Sequence, residues 1–219
     1  MQLRPHHFLN TLSTIASMTY LGDNERIRKF VELYSRDARY LFSVSFKEVP
    51  LEEEIRHVQD YIECQNILFP DCVFSFMDIQ PVAKDWRVPQ MMLHALVENI
   101  YKHAVSMDKF TSFFIRASVQ DSKGEDVLEI IVEDDGAGFP QDVIESVNHS
   151  DGDMVESSHV GLMNICHTLY LMYGRNRLME LSNKRDHGGM IRITIPKKKE
   201  KPVGGVQRNR GKNNADLSC

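Results

Sequence analysis

The feature that most constrains the fold is a strand-forming apolar run that ends abruptly in a glycine-punctuated loop. The run Leu128–Val132 is rich in β-branched residues, and the sequence EDDGAGF follows it over 133–139. Such a run favours a buried strand, and closely spaced glycines end it. Gly136 and Gly138 would also let the backbone approach a flat ring, while the carboxylate of Asp134 can accept a hydrogen bond from an amino group on that ring. The stretch therefore predicts a candidate adenine pocket, although an ordinary surface turn can have the same pattern.

Charge is distributed unevenly along the 219 residues. Residues 197–219 contain seven Lys or Arg and two acidic residues, which leaves 19 basic against 29 acidic residues in 1–196. An acidic body argues against nucleic acid as the main ligand. Because the tail is rich in Gly, Asn and Lys, we expect it to be disordered and solvated, although a basic tail could also touch anionic lipid or nucleic acid.

The sequence contains no run of 18 apolar residues, so we expect no transmembrane helix in it, and residues 1–5 contain no signal-peptide core. Its four cysteines are scattered without a C-x-x-C pair, which favours reduced thiols in a cytoplasmic protein over disulfides or a zinc site. Five histidines that belong to none of the motifs discussed below show no ligand spacing of the H-x-x-x-H kind, so we expect no metal site formed by them. These histidines are His57, His94, His149, His167 and His187.

Two consecutive amphipathic helices are predicted near the N-terminus. The first covers residues 5–20 and begins at a proline, which suits a first helical turn. The second covers residues 25–42 and follows Asp23, a suitable N-cap. A helical hairpin cannot bury both apolar stripes by itself, so a second copy or another domain must cover them. We expect residues 1–45 to form a hairpin that dimerises into a four-helix bundle.

After the hairpin the pattern changes to helices mixed with strands. A third helix follows Pro50, and two more are predicted over 89–105 and 161–173. Strands are predicted over 72–79, 113–120, 127–133, 177–183 and 190–195. This order predicts the α+β class, with residues 46–196 forming a two-layer α/β sandwich that contains a mixed β-sheet.

The helix predicted over 89–105 has one apolar face and one polar face. The polar face presents Glu98, Asn99, Lys102 and His103. Glu98 and Lys102 are four residues apart, as are Asn99 and His103, so each pair lies on one side of the helix. An amide oxygen suits Mg²⁺, which binds mainly to phosphates, and a lysine and a histidine can contact phosphate oxygens. A solvated face with an i,i+4 salt pair is the alternative interpretation.

A polar stretch over 148–160 precedes the helix predicted at 161–173. The start of a helix offers free backbone N–H groups and the positive end of the dipole, which together favour phosphate. We therefore consider Gly161, Leu162 and Asn164 as a phosphate-side segment with 148–160 as a lid. An ordinary loop before a helix has the same pattern.

Together these stretches resemble the ATP-binding domain shared by histidine kinases, type II topoisomerases, Hsp90 and MutL. In chain order they read VENxxKH over 97–103, EDDGAGF over 133–139 and HVGLMN over 159–164. The segment RPHHFLNTL over 4–12 further resembles the NPHFLFNTL motif of LytS/YehU-type sensor histidine kinases. This resemblance extends over nearly all of residues 2–196.

The resemblance implies a role for each matching residue. His6 accepts the γ-phosphoryl group of ATP, as a neutral imidazole near pH 7 can. Asn99 binds Mg²⁺, and Glu98 could help to orient the metal or a water. Lys102 and His103 lie near the phosphates, where charge neutralisation is most of what phosphoryl transfer needs.

For the adenine side, the resemblance implies that Asp134 binds the amino group between Gly136 and Gly138. The lid end and the phosphate-side helix then consist of Gly161, Leu162 and Asn164. The family further implies a homodimer, phosphotransfer to a response regulator, and a sensor or membrane region that this sequence lacks. We expect either a fragment of a longer protein or a signal that arrives from another protein.

Three residues depart from the family pattern. His159 replaces the usual first glycine of GxGL, and Leu68 and Thr168 replace usual arginines. These changes leave open a second hypothesis, a nucleotide-binding and dimerising regulatory module with weak or no kinase activity. An ATPase of the topoisomerase or MutL kind is disfavoured, because the histidine motif at His6 would then be a coincidence.

Overall fold

The structure is a computed structural model that describes residues 5–20, 22–43, 46–105, 109–122, 124–149 and 160–197, with only the backbone described for 5–11 and for 160. The helices in these ranges are α1 (Pro5–Tyr20), α2 (Asn24–Phe42), α3 (Leu51–Leu68), α4 (Met92–His103), α5 (Gln141–Asn148) and α6 (Val160–Tyr173). The strands are β1 (Glu48–Pro50), β2 (Val73–Ile79), β3 (Arg87–Pro89), β4 (Thr111–Ser122), β5 (Glu125–Asp134), β6 (Met179–Asn183) and β7 (Gly189–Pro196).

A five-stranded mixed sheet with the order β2-β4-β5-β7-β6 forms one layer. Strands β2 and β4 run parallel and pair Val73 with Thr111, whereas the other neighbours in this sheet are antiparallel. β1 and β3 form a separate two-stranded antiparallel pair. The α+β class and the mixed sheet predicted from the sequence are therefore confirmed.

Alternation along β4 explains why helices cover only one face of the sheet. Phe113 and Ile115 are fully buried, whereas Phe114 and Arg116, which alternate with them along the strand, are exposed. Successive side chains of a strand point to opposite faces, so this pattern buries one face. The main core lies between that face and helices α3 to α6.

Helix α3 covers part of the apolar stripe of the N-terminal helix pair. Phe30 and Leu33 of α2, each 1% exposed, cluster with Met18 of α1 and Cys64 of α3. Leu68 at the end of α3 packs against the same cluster. The covering surface that two isolated helices would lack is thus supplied in part by the chain itself, while the division at residue 45 stays a prediction.

Helix α4 begins at Met92, three residues later than predicted, because a buried carboxylate from α3 stops it there. Met91 adopts a left-handed conformation with φ 70°. The carboxylate of Glu54 accepts hydrogen bonds from the backbone N–H of Met91 at 2.7 Å and of Leu93 at 3.0 Å, and the hydroxyl of Tyr40 donates to it at 2.5 Å. Burial raises the pKa of Glu54, and these three donors oppose that rise.

We expect Glu54→Gln to lower the free energy of unfolding by about 2 kcal/mol, because an amide –NH₂ group would face a buried donor that the carboxylate now satisfies. Urea unfolding monitored by circular dichroism measures this change. The exposed Glu52 on the same helix supplies the control, since Glu52→Gln removes only a surface ion pair with Lys84. Equal midpoints for the two variants would contradict the capping role of Glu54.

Other differences from the sequence expectations are local, and β6 and α5 illustrate them. β6 begins at Met179 rather than at 177, because Arg177 adopts φ 59°, which interrupts a strand. α5 was not predicted, although Val143 and Val147 lie four residues apart on its buried face. None of the described helices is long and apolar enough to cross a membrane.

Candidate functional site

The polar face of α4 meets the start of α6 at Asn99. A Cβ placed on Gly161 would lie 3.4 Å from Oδ1 of Asn99, so the two residues are in near contact. Nδ2 of Asn99 is buried and has no hydrogen-bond partner in the described part of the chain. A buried amide group without a partner is costly, which is consistent with a ligand that would bind here.

Glu98 directly precedes Asn99, whereas Lys102 and His103 lie about one turn further along α4. Nζ of Lys102 forms an ion pair with Oε1 of Glu98 at 2.5 Å, and both side chains are partly exposed. His103 is exposed in the last turn. The i,i+4 pair anticipated from the spacing is therefore present, and it holds the lysine on the same helix face as Asn99.

The carboxylate of Asp134 is anchored by backbone groups from two loops. Its Oδ1 accepts a hydrogen bond from Gly136 N–H at 2.8 Å and a longer one from Gly189 N–H at 3.4 Å. A Cβ on Gly136 would lie 2.6 Å from Cβ of Ala104, which follows α4 directly. The glycine therefore allows the loop after β5 to pack against the end of the helix that carries Asn99.

Further along the same loop, Gly138 packs against the side chain of Asn183 at the end of β6. Gly138 has φ +78°, and a Cβ there would lie 2.7 Å from Oδ1 of Asn183. Asn183 holds the loop by accepting from Phe139 N–H at 2.7 Å and donating to the Phe139 carbonyl at 2.8 Å. Sequence reasoning missed Asn183, because an asparagine at the end of a strand far along the chain gives no sign of this partner.

The turn between β6 and β7 completes the surroundings of Asp134. Gly188 has φ +97°, and a Cβ there would lie 2.0 Å from the Asp134 carbonyl oxygen. A Cβ on Gly189 would lie 2.5 Å from the ring of Phe139 and 3.0 Å from Oδ2 of Asp134. Both glycines follow the strand predicted over 177–183, and the sequence analysis did not assign them to the site.

Asp134 and its neighbour Asp135 have different roles. The carboxylate of Asp135 accepts from Ser112 N–H at 2.8 Å, and Asp135 N–H donates to the Ser112 carbonyl at 3.1 Å. Asp135 thereby fixes the loop to the start of β4. Asp134 is the acid of the pair that lies among Gly136, Gly188 and Gly189.

The predicted residues thus form two neighbourhoods, Asn99 with Gly161 and Asp134 with its glycines, which meet at Ala104. Leu162 is buried and Asn164 is exposed on α6. His6 lies on α1, where only the backbone is described, and His159 lies outside the described residues. Oδ1 of Asn99 is the kind of oxygen ligand that Mg²⁺ takes, and its free Nδ2 can donate to a phosphate oxygen. The carboxylate of Asp134 can accept from an amino group, so these residues fit a Mg²⁺–nucleotide complex.

Two of the remaining histidines come together, contrary to the expectation from spacing. His57 of α3 and His94 of α4 lie with their ring centroids 4.9 Å apart, and both lie beside Asp37 of α2. Burial lowers the pKa of His94 to about 4, and the carboxylate of Asp37 opposes this shift. The spacing carried no sign of the cluster, because its members are on three separate helices.

Residues 1–73 match the histidine kinase family. Over 196 residues the chain is 26% identical to the sensor protein kinase HptS of Staphylococcus aureus. The aligned residues make up 89% of this chain and 37% of HptS. The chain therefore spans little more than a third of the length of that relative. The nucleotide-free catalytic domain of the histidine kinase ThkA superposes with a TM-score of 0.51 at 17% identity, over 68% of this chain and 94% of that domain.

The fold is accordingly that of histidine kinase ATP-binding domains, a mixed sheet covered on one face by helices. The chain as a whole is similar to the sensor histidine kinases, as its motifs predict.

Proposed function

We propose that this chain is the core of a two-component sensor histidine kinase that binds ATP with Mg²⁺, phosphorylates His6 and passes the phosphoryl group to an aspartate of a response regulator. The observation that carries the proposal is the setting of Asp134. Its Oδ1 accepts from the N–H groups of Gly136 and Gly189, and these two residues and Gly188 place no side chain of their own beside it. A flat ring with an exocyclic amino group matches such a surface.

Asn99 is the residue that we assign to Mg²⁺, with Glu98 orienting the metal or its water. The ion would neutralise the charge of the β- and γ-phosphates. Lys102 and His103 add positive or donating groups to the same helix face, and Lys102 would exchange its partner Glu98 for a phosphate oxygen. The start of α6 at Gly161, with Leu162 and Asn164, would border the phosphates from the other side.

In the transfer itself, a neutral ring nitrogen of His6 attacks the γ-phosphorus. A nitrogen–phosphorus bond forms, the bond from phosphorus to the bridging oxygen breaks, and ADP leaves. The imidazole loses its N–H proton to solvent or to a nearby carboxylate. The phosphohistidine then donates its phosphoryl group to the aspartate of the response regulator.

The proposal includes a homodimer formed by a hairpin over residues 1–45, with 46–196 as the ATP-binding domain and 197–219 as a basic tail. Leu12 is 47% exposed and Val31 is 39% exposed, which leaves apolar surface on the hairpin for a second copy. Because ATP and response regulators are cytoplasmic, we place this core in the cytoplasm, downstream of a sensor region that could be anchored in the membrane.

The second candidate is a nucleotide-binding regulatory module without kinase activity. Leu68 favours it, because this side chain packs into the apolar cluster of Phe30, Leu33 and Cys64, where the family usually supplies an arginine. Both candidates require ATP binding, and they differ only in whether phosphate reaches His6.

Incubation of the purified chain with γ-labelled ATP and Mg²⁺ tests the proposal. We expect label that is acid-labile and alkali-stable, and we expect it to fall to background in His6→Ala and in Asn99→Ala. His7→Ala is the matched control and should keep the label, since His7 stands where the family has phenylalanine. Absence of label while a fluorescent ATP analogue still binds would favour the regulatory module over the kinase.

A further inference from the structure

Three polar side chains from three helices converge in the interior, and none of them is a residue assigned to the nucleotide site. Asp37 of α2, His57 of α3 and His94 of α4 have side chains that are only 7%, 6% and 3% exposed. One donor atom from each residue lies within 4.8 Å of the other two. Oδ1 of Asp37 is 3.1 Å from Nε2 of His57 and 3.8 Å from Nδ1 of His94.

The three converging atoms are all buried, and although Asp37 lies within ion-pair distance of both histidines, the atoms form no hydrogen bonds within the described part of the chain. Oδ1 of Asp37, Nε2 of His57 and Nδ1 of His94 have no hydrogen-bond partner among the described residues. The 3.1 Å separation is short enough for a hydrogen bond, but the two groups are not aligned to form one. Leaving three polar atoms buried without partners is costly, so their convergence indicates an occupant that satisfies all of them.

The ligand set determines which ions fit. Two imidazole nitrogens and one carboxylate oxygen suit Zn²⁺ and similar divalent transition metals, whereas Mg²⁺ and Ca²⁺ prefer oxygen ligands throughout. In a tetrahedral zinc site with bonds of about 2.0–2.2 Å, the ligand atoms lie roughly 3.3–3.5 Å apart. The two distances from Asp37, 3.1 and 3.8 Å, bracket this spacing, and the two histidine nitrogens lie within 4.8 Å of each other.

We propose that Asp37, His57 and His94 bind one divalent transition-metal ion, for which Zn²⁺ is the reference probe. Tyr40 and Tyr61 flank the site, with ring centroids 4.0 Å from His57 and 4.6 Å from His94 respectively. Their rings limit access of water to the ligands. Three protein ligands leave at least one position on the ion for a small ligand such as water.

The position of the site gives the ion a structural consequence. It would join α2 of the N-terminal helix pair to α3 and to α4, and α4 also carries Asn99. The bound metal would therefore fix the N-terminal helices relative to the ATP-binding helix. This inference does not depend on the kinase proposal, because its ligands lie outside the candidate nucleotide site.

Metal titration of the full chain, freed of any histidine tag and stripped with a chelator, tests the site. We expect one Zn²⁺ per chain by elemental analysis after dialysis, together with a rise in Tm, because the ion binds the folded state. Co²⁺ should give the intense visible absorption of a tetrahedral site without a thiolate band, since Cys64 is not among the three ligands.

Asp37→Asn and His94→Gln should each weaken Zn²⁺ binding by about 100-fold or more, whereas His187→Gln, on an exposed turn, should leave it unchanged. Circular dichroism checks that the variants fold, and if they do not, the Co²⁺ spectrum of the unaltered chain decides. Less than one ion per chain, an octahedral Co²⁺ spectrum, or undiminished binding in both folded variants would overturn the proposal in favour of a metal-free polar cluster.

Discussion

Asp134→Asn is expected to weaken ATP binding by about 10- to 100-fold, which corresponds to the loss of one hydrogen bond to a charged group. Oδ1 accepts from the N–H groups of Gly136 and Gly189, and in the variant the amide oxygen must keep that place. The –NH₂ group of the new asparagine would then face the amino group of adenine, and two donors would meet. The substitution therefore replaces an attraction with a repulsion while preserving the shape of the side chain.

Titration with ATP and with ADP, each with and without Mg²⁺, measures this effect and separates it from that of Asn99→Ala. The adenine contact is common to all four conditions, so Asp134→Asn should weaken binding in each, whereas loss of Asn99 should act only where Mg²⁺ is present. Glu133→Gln is the matched control, because Glu133 pairs with Arg116 on the neighbouring strand. Unchanged affinity in Asp134→Asn would sink the adenine-pocket assignment and with it both candidate functions.

Gly188→Ala is the second large effect that we expect, with a loss of about 3 kcal/mol in the free energy of unfolding. A left-handed conformation costs a residue with a Cβ about 1–2 kcal/mol. The new methyl group would also lie 2.0 Å from the carbonyl oxygen of Asp134, and relief of such an overlap by backbone movement costs about 1–3 kcal/mol more. For a chain of this size the loss corresponds to a fall in Tm of about 6–12 °C.

Gly174→Ala isolates the contact from the conformational cost. Gly174 has φ +62°, and among the described residues no heavy atom lies within 4 Å of a Cβ placed on it, so the substitution carries only the first of the two costs. Thermal unfolding of both variants by calorimetry gives the difference directly. Equal Tm values would mean that the loop before β7 can move to relieve the overlap. The contact between Gly188 and the backbone of Asp134 would then not be tightly constrained.

The sequence predicted those elements whose structure is determined by neighbouring residues along the chain. Alternation in β4 and the apolar run of β5 report burial on one face directly, so both strands were located. β1 and β3 escaped, because three residues are too few for a period to emerge. The start of α4 was not predicted correctly for a different reason. It is fixed by the carboxylate of Glu54, which binds the backbone N–H of Met91 and lies 37 residues away from it along the chain.

The candidate site divides in the same way. Asn99, Asp134, Gly136 and Gly138 carry their signal in short motifs, so they could be named before the fold was known. Asn183 acts through a partner 44 residues away. The cluster of Asp37, His57 and His94 exists only because three helices pack together. Contacts of this kind arise from tertiary structure, and no spacing along one element encodes them.

The single parallel pair in the sheet has a consequence for where the chain can change in length. Strands that run side by side in the same direction need a crossover that returns the chain to its starting edge. Between Ile79 and Thr111 the chain makes that return, and α4 is its main element. The helix that carries Asn99 is therefore a connection that the topology requires. Insertions can be absorbed in the turn after Ser122, whereas a deletion within the crossover would alter the sheet and the placement of Asn99 together.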